Sequence, residues 1–572
     1  MTINSFLADR ALECLDSPFS VVVPERDDRS SSVLTFRKAL KAVKFHEELL
    51  DHCIQDLVGE IHASDDVAIA YLSMNTVDMF LSMLASTSKR FQPAKVTLLN
   101  TRWTPEEISE ALRSLEQNAK TIILYGPGFD LVARKVVSIL SHRACCSPLP
   151  QVAEDFVSQS CVQLKSGISG KTSLDRADKM IDKQIRTVAM SDEGQRDAFI
   201  IYTSGTTGGS KGVRLSHRAI IVQALSKLKD PCKYSDETTL LASTVPLFHV
   251  GGLSSILATV FAGGCLIFPE TQSLGFDAGF FRRSLSYSLV KVNTLAVVPA
   301  MMVTFFAMHG ISVNYPAVRL ILIGGQSASK DMLKCIKTVF PEARIVQTYA
   351  CTEAASSLTF LHLNQVNDNP LPLYGETSVA HPKGDCIGLP PSHITLRIFQ
   401  EGDVLRDVTN DPYTTGIIAT KGPHLMSGYW KRGTQDVDHS KEWYCSNDLG
   451  FCDEKGQFYF YGRVNDAIRT GGETVIAQEV ERILLQHPTV SECAVFPRKD
   501  DRFGEAVACA IVLEKGASIP FSALKRWCQD RGLASYKRPR YFFLVDELPR
   551  NSSGKVLKRE LAKMVEQTRS RL

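Results

Sequence analysis

The 572-residue sequence predicts an α/β protein of at least two domains, a large N-terminal one and a separate small one at the C-terminal end. Three observations lead there. Apolar runs of strand length alternate with helical patterns from about residue 65 to 350, and a shorter unit with its own helix and strands starts at Gly462. The composition, 44% hydrophobic and 22% charged, supplies apolar material for more than one core.

The runs VAIAYL, VTLLN, TIILYG, AFIIYT, TLLAST, CLIFP, TLAVVP and RLILIGG read as strands, because short apolar runs between turn residues suit strands buried on both faces. Residues 216–228 read as an amphipathic helix in which Ser216 caps the start and Ile220, Ile221, Ala224, Leu225 and Leu228 share a face. Two segments, 146–197 and the Pro-, Asn- and Gly-rich 364–385, read as surface excursions. The most apolar long stretch, 292–308, contains Asn293, Thr294, Pro299 and Thr304, so it reads as a buried strand and helix rather than a membrane span. In the last part, the helix EVERILLQ and the strands ECAVF and VACAIVL form the small domain, which puts the expected domains at 1–461 and 462–572.

Composition excludes some partners. With 65 Lys and Arg against 62 Asp and Glu the net charge is +3, and no basic run is interleaved with aromatics, so small molecules are expected as substrates and nucleic acid is not. Fifteen cysteines without paired metal-ligand spacing, and an N-terminus lacking a basic and an apolar leader region, point to an intracellular protein with reduced thiols. At the other end Ser570-Arg571-Leu572 has the form of a peroxisomal address read by an import receptor; it also fits the frayed end of a basic helix, and plastid or cytosol stay open as locations.

Chemistry concentrates in residues 202–213, YTSGTTGGSKGV, directly after a strand-like run. Gly205, Gly208, Gly209 and Gly212 leave backbone amides open to an anion, Thr203, Ser204, Thr206 and Thr207 add hydroxyl donors, and Lys211 adds charge: a loop of this make-up grips phosphate. It is not a Walker A loop, since Lys211 is followed by glycine rather than Ser or Thr. Further motifs follow in order. Gly324-Gly325-Gln326 after RLILI, the run Tyr349-Ala350-Cys351-Thr352-Glu353, Trp443 with Asp448, Gly462-Arg463, Gly471-Gly472-Glu473, and Lys555 in PRNSSGKVLKREL each read alone as a turn, a cap or a solvated charge.

Together this ordered series resembles the adenylate-forming superfamily, in its acyl-CoA ligase branch, over residues 30 to 565. The resemblance implies a large multi-subdomain α/β N-terminal domain with parallel-type sheets and a small mobile C-terminal α+β lid domain. It also implies ATP-dependent activation of a carboxylate to an acyl-adenylate, with Mg²⁺, followed by transfer to CoA. It implies that the 202–213 loop holds the β- and γ-phosphates, that Glu353 binds Mg²⁺ beside Thr206, and that Gly324, Gly325, Gln326 and Tyr349 frame adenine near Thr352. Asp448 and Arg463 then meet the ribose, and Lys555 bridges the attacking carboxylate and the α-phosphate. His249 in PLFHVGG borders the acyl and CoA tunnel, Asn465 is the pivot of the lid, and the Gly471-Gly472 face serves thioester formation. The sequence departs from the family at Asn465, where Asp or Lys is usual, and at Ser210, Ala350 and Ser446-Asn447, each time keeping a small or polar residue.

Within that branch PLFHVGGLSS, VVPAMM, CTEAASSLTFLHL, LLNTRW and GDCIGLPPSHITLRI resemble the o-succinylbenzoate-CoA ligases of plants and algae, enzymes of phylloquinone biosynthesis. That acid carries a second, spectator carboxylate, for which Ser254, Ser255, Ser356 and Ser357 are candidate donors; the same serines also suit helix caps. Two alternatives remain open at this point: another aryl or medium-chain acyl-CoA ligase, and a catalytically silent nucleotide or acyl-CoA binding protein.

Overall fold

A computed structural model describes residues 1–23, 32–58, 67–91, 94–115, 120–141, 144–149, 174–203, 210–270, 275–287, 290–363, 384–400, 406–430, 442–550 and 556–569. The chain forms two compact units, one of Met1–Asn369, Pro390–Thr395 and Lys421–Tyr444, the other of Pro370–Leu389, Leu396–Thr420 and Cys445–Leu572.

The larger unit holds two sheets. In the seven-stranded one, Asp197–Thr203, Lys95–Leu98, Val67–Leu72, Lys120–Tyr125 and Ala144–Pro148 run parallel, and Lys211–Ser216 and Gly428–Tyr429 extend it antiparallel. The eight-stranded sheet runs parallel from Arg344–Cys351 through Leu320–Ile323, Thr294–Val297, Thr239–Leu241 and Cys265–Pro269 to Pro18–Val23, with Ser356–His362 and Ser32–Thr35 antiparallel at its edges. Every strand expected in this region is present.

Burial on both faces explains why those strands are apolar throughout. In Val67–Leu72, Val67, Ile69 and Tyr71 enter the main core while Ala68, Ala70 and Leu72 enter a second one packed by the helices Pro105–Arg113 and Asp130–Leu140. In Cys265–Pro269, Leu266 and Phe268 face the main core, and Cys265 and Ile267 a third one covered by Ala278–Ser286, Pro299–His309 and Lys330–Val339. The main core therefore lies between the two sheets, filled by helices that include His217–Ser226 and Val250–Ala262.

Three sequence expectations need correction. The helix starting after Ser216, which does cap it through the Ala219 amide, is buried all round rather than amphipathic, because it runs between two sheets. In the 292–308 stretch the strand is buried, but the helix exposes Val303 (56%) and Met308 (64%). Segment 146–197 contains the helix Leu174–Ala189, anchored by Ile185 and Val188, so it is less irregular than its polar composition implied. No helix among the described residues is long and apolar enough to cross a membrane.

In the smaller unit a six-stranded sheet includes the neighbouring strands Tyr444–Cys452 and Phe458–Arg463. A five-stranded sheet pairs Val490–Asp500 antiparallel with Gly504–Leu513, which also pairs in parallel with Tyr541–Leu544. Alternation separates its faces. Cys493, Val495, Val507, Cys509 and Ile511 pack on the helices Ala477–Leu484 and Phe521–Asp530, whereas Ala494, Phe496, Ala508 and Ala510 pack on Lys558–Arg569 through Leu561 and Val565. This is the α+β arrangement expected for the C-terminal part.

Candidate active site

The hairpin that carries the phosphate-type loop closes on the pair Thr203 and Lys211, directly opposite in register. Ser204, Gly205, Thr206, Thr207 and Gly208 lie outside the described residues, as do Lys555 and Ser570-Arg571-Leu572. The flank of the hairpin is fixed by the segment after it: the Ser427 amide donates to Arg214 O at 2.9 Å and the Trp430 amide to Gly212 O at 2.7 Å.

That pairing delivers Tyr429, a residue which sequence reasoning missed, to the centre of the site. Its hydroxyl donates to Glu353 Oε1 at 2.8 Å, and Lys211 Nζ stands 5.6 Å from the centroid of its ring. One tyrosine thus ties the loop lysine to the carboxylate, favouring the cation through its ring and the anion through its hydroxyl. Tyr444 adds a second hydroxyl 3.4 Å from the first, and burial beside Glu353 pushes both phenols upward, so they stay protonated donors at neutral pH. Only the aromatic pair in SGYW hinted at this; nothing in its spacing signals chemistry.

Glu353 sits on a single 3₁₀ turn, Thr352–Ala354, and its own carbonyl accepts from the Met426 amide. Tyr349, on the preceding strand, packs on a small cluster of Ala354, Leu358 and Ile394. Gly324, Gly325 and Gln326 directly follow the strand Leu320–Ile323, with Gly325 at φ +83°. Among the described residues no cluster of three or more His, Cys, Asp or Glu suits a metal ion. A lone carboxylate fits Mg²⁺ instead, since that ion commonly takes one or two carboxylates and completes its shell with phosphate oxygens and water.

His249 heads the helix Val250–Ala262. Burial and the nearby Arg102 guanidinium push its imidazole down to about 4, so it is neutral, and its Nε2 finds no hydrogen-bond partner among the described residues. Two devices hold this turn. Asn75 donates to Ala242 O and Val245 O and accepts from the Leu247 amide. Gly252 lies so near the chain that a Cβ would come 2.4 Å from Val245 O, so only glycine fits there.

The four candidate serines are not caps. Ser254 and Ser255 lie inside a helix and Ser356 and Ser357 on a strand, each 1% exposed. Ser254 Oγ and Ser356 Oγ meet at 2.7 Å, and both accept from Lys227 Nζ, at 2.9 and 3.2 Å. Lys227 escaped sequence reading because a cation at a helix end ordinarily reads as solvated. Gln223, one turn earlier, donates to Ala354 O and Ser357 O and so pins this helix to the Glu353 turn.

In the smaller unit Asp448 and Arg463 are register partners joined by an ion pair of 3.4 Å. Asn465 occupies the 3₁₀ turn Val464–Asp466. Gly471 and Gly472 form a two-residue hairpin turn at φ +60° and +88°, a conformation that suits glycine at both places.

Comparisons agree with this architecture. Residues 57–430 match the family described as AMP-binding enzyme, and residues 479–555 match the AMP-binding enzyme C-terminal domain. The 2-succinylbenzoate-CoA ligase, chloroplastic/peroxisomal, of Arabidopsis thaliana is 33% identical over 394 residues, which cover 64% of this chain and 67% of the relative. A 2-succinylbenzoate-CoA ligase of Bacillus cereus is 32% identical over 372 residues, covering 64% and 70%. Among solved structures, o-succinylbenzoate CoA synthetase of Bacillus subtilis with its acyl-adenylate intermediate has the same fold, at TM-score 0.70, 24% identity and 97% coverage of both chains. ATP-bound MatB of Rhodopseudomonas palustris gives TM-score 0.73 at 21% identity over 99% of this chain and 100% of its own. With a family match over more than half of its length, this chain belongs to the AMP-binding enzymes, the adenylate-forming family that its ordered motifs resembled.

Proposed function

We propose that the protein is an AMP-forming acid-thiol ligase that activates 2-succinylbenzoate with ATP and passes the acyl group to CoA. The observation that carries the reaction class is the meeting of Lys211 and Glu353 on Tyr429 at the root of the phosphate-type hairpin. Support for the acid comes from the names of the Arabidopsis and Bacillus relatives.

In this reading the aliphatic carboxylate of the acid attacks the α-phosphorus of ATP and pyrophosphate leaves with its electron pair. The CoA thiol, losing its proton, then attacks the acyl carbonyl and AMP leaves. Both steps bring anions together, so the protein must supply cations and fixed donors in a dry site. Lys211 and the loop hydroxyls, Thr203, Ser204, Thr206 and Thr207, hold the terminal phosphates. Glu353, with Thr206, is the ligand for Mg²⁺, which offsets phosphate charge when bound. Gly324, Gly325, Gln326, Tyr349 and Thr352 frame adenine, while Asp448 and Arg463 take the ribose.

Lys555 supplies the cation of the adenylation step, and residues 462–572 act as a mobile lid pivoting at Asn465, with Gly471 and Gly472 serving the thioester step. For CoA, whose phosphates need cations, the smaller unit offers a cleft lined by Arg502, Lys525, Arg526, Arg538 and Arg540. Neutral His249 borders the acyl group. We further place the protein in peroxisomes, through an import receptor reading Ser570-Arg571-Leu572; the name of the Arabidopsis relative supports peroxisome or plastid.

One assay tests the reading. ATP-pyrophosphate exchange and CoA-thioester formation are measured side by side on 2-succinylbenzoate, coumarate, benzoate and octanoate. Exchange with no acid would overturn the enzyme; a better rate on coumarate or octanoate would overturn the acid.

A further inference from the structure

Helix His217–Ser226 ends on a lysine that does not reach water. Lys227 is 0% exposed, and among the described residues its Nζ meets only the Ser254 and Ser356 hydroxyls. An ammonium carries three donors, of which the described residues take two. Among the described residues no carboxylate stands within ion-pair distance of it; the titratable neighbours are the Cys232 thiol and the His393 imidazole, neither an anion at neutral pH, since burial pushes that thiol up to about 12 and that imidazole down to about 3.

A solitary buried ammonium is expensive to keep, because its hydration is lost and nothing of opposite sign replaces it. The helix C-terminus favours a cation at this place, but only in part. Burial accordingly pushes Lys227 down to about 8, which leaves it mostly protonated at pH 7. Its two anchors belong to the elements of the candidate site: Ser254 follows His249 by five residues on one helix, and Ser356 follows Glu353 by three.

We propose that Lys227, held by Ser254 and Ser356, is the cation that receives the second, unreacted carboxylate of a dicarboxylic acid substrate. This deepens the function proposed above and rests on it. The carboxylate takes the third donor of the ammonium and completes an ion pair in low-dielectric surroundings, while a monoacid leaves the lysine solitary. Selectivity then comes from the penalty of an unpaired buried charge rather than from the shape of an apolar cleft.

The test compares kcat/KM for 2-succinylbenzoate with that for 4-oxo-4-phenylbutanoate, which lacks only the ring carboxylate, using the full chain and its Lys227→Met variant. The wild-type ratio favours the diacid and falls by about a hundredfold or more in Lys227→Met, with the KM for ATP little changed. An unchanged ratio, or an equal loss on both acids, overturns the proposal by making the lysine structural. Should Lys227→Met fail to fold, the Ser254→Ala/Ser356→Ala variant, which keeps the charge but frees it, must still shrink the ratio, and an unchanged ratio overturns the proposal. If the wild type rejects succinylbenzoate but prefers another diacid to its monoacid, the assigned acid fails while Lys227→Met on that pair still decides about the lysine. A wild-type preference for monoacids throughout overturns both.

Discussion

In the larger unit His46, His217, His424 and Lys227 are all 0% exposed; among the described residues no carboxylate lies within ion-pair distance of Lys227, and both ring nitrogens of His46 and of His393 lack hydrogen-bond partners there. In the smaller unit no Asp, Glu, Lys, Arg or His among the described residues is buried to that degree. Its semi-buried charges come in pairs instead, Lys537 with Glu479 at 2.8 Å, Lys558 with Glu481 at 2.7 Å and Arg482 with Asp385 at 3.1 Å. Paired ions hold a structure together at little net cost or gain, whereas solitary polar groups are tolerated where a ligand uses them or where a large apolar core outweighs them. The contrast is one of charge balance: among the described residues the larger unit buries a lysine without a counter-ion, and the smaller unit holds its semi-buried charges in pairs.

The largest effect expected belongs to a single charge of the smaller unit. Lys555→Ala should lower adenylation by a hundredfold or more, on the order expected for a cation aimed at developing charge, while thioester formation from preformed acyl-adenylate persists. Equal loss of both half-reactions would remove Lys555 from its proposed step.

Acid should then split the two units. Folded-state values of about 4 for His46 and His249 and about 3 for His217 and His393, with His424 also well below normal, lie under the unfolded value of about 6.5. Groups lowered in this way leave stability intact above pH 6.5 and erode it as pH falls toward the folded values, each by up to about 1.4 kcal/mol per pH unit. Hydrogen exchange followed from pH 7 to 4 should show the larger unit losing protection first; simultaneous loss would erase the contrast.

Within the larger unit, Tyr429→Phe removes the donor to Glu353 yet keeps a ring beneath Lys211. Roughly a tenfold drop in kcat/KM for ATP is expected, the worth of one charge-assisted hydrogen bond. A wild-type value would show that Glu353 holds its place unaided. In the smaller unit, Lys537→Met should lower the unfolding free energy by about 1 kcal/mol, read from the urea midpoint, because Glu479 keeps the Tyr461 hydroxyl as a partner. The smallest effect is expected from deleting residues 570–572: unchanged activity, with a fluorescent fusion moving from peroxisomes to cytosol.

Legibility followed burial. Strands such as Val67–Leu72 were plain in the sequence because both faces are covered, and an uninterrupted apolar run has few other meanings. Leu174–Ala189 was missed although Ile181, Ile185 and Val188 recur at helical spacing, since charged residues outnumber them. Among candidate site residues, Glu353, Lys211 and His249 are singled out in the sequence by their motifs. Tyr429 and Lys227 were not, because each acquires meaning only through a partner distant in sequence: Glu353 lies 76 positions from Tyr429, and Ser356 lies 129 from Lys227. Spacing along a chain carries no record of such contacts.

Ala355 has a left-handed backbone at φ 56°, uncommon for a residue with a side chain and unfavourable by about 1 kcal/mol. It stands between Glu353, the ligand proposed for Mg²⁺, and Ser356, whose hydroxyl accepts from Lys227. With the roles proposed for Glu353 and Lys227, so short a spacer would act as a lever, passing a shift that seats one end to the other. By reciprocity, an acid that tightens the grip on nucleotide has its own grip tightened by the same factor.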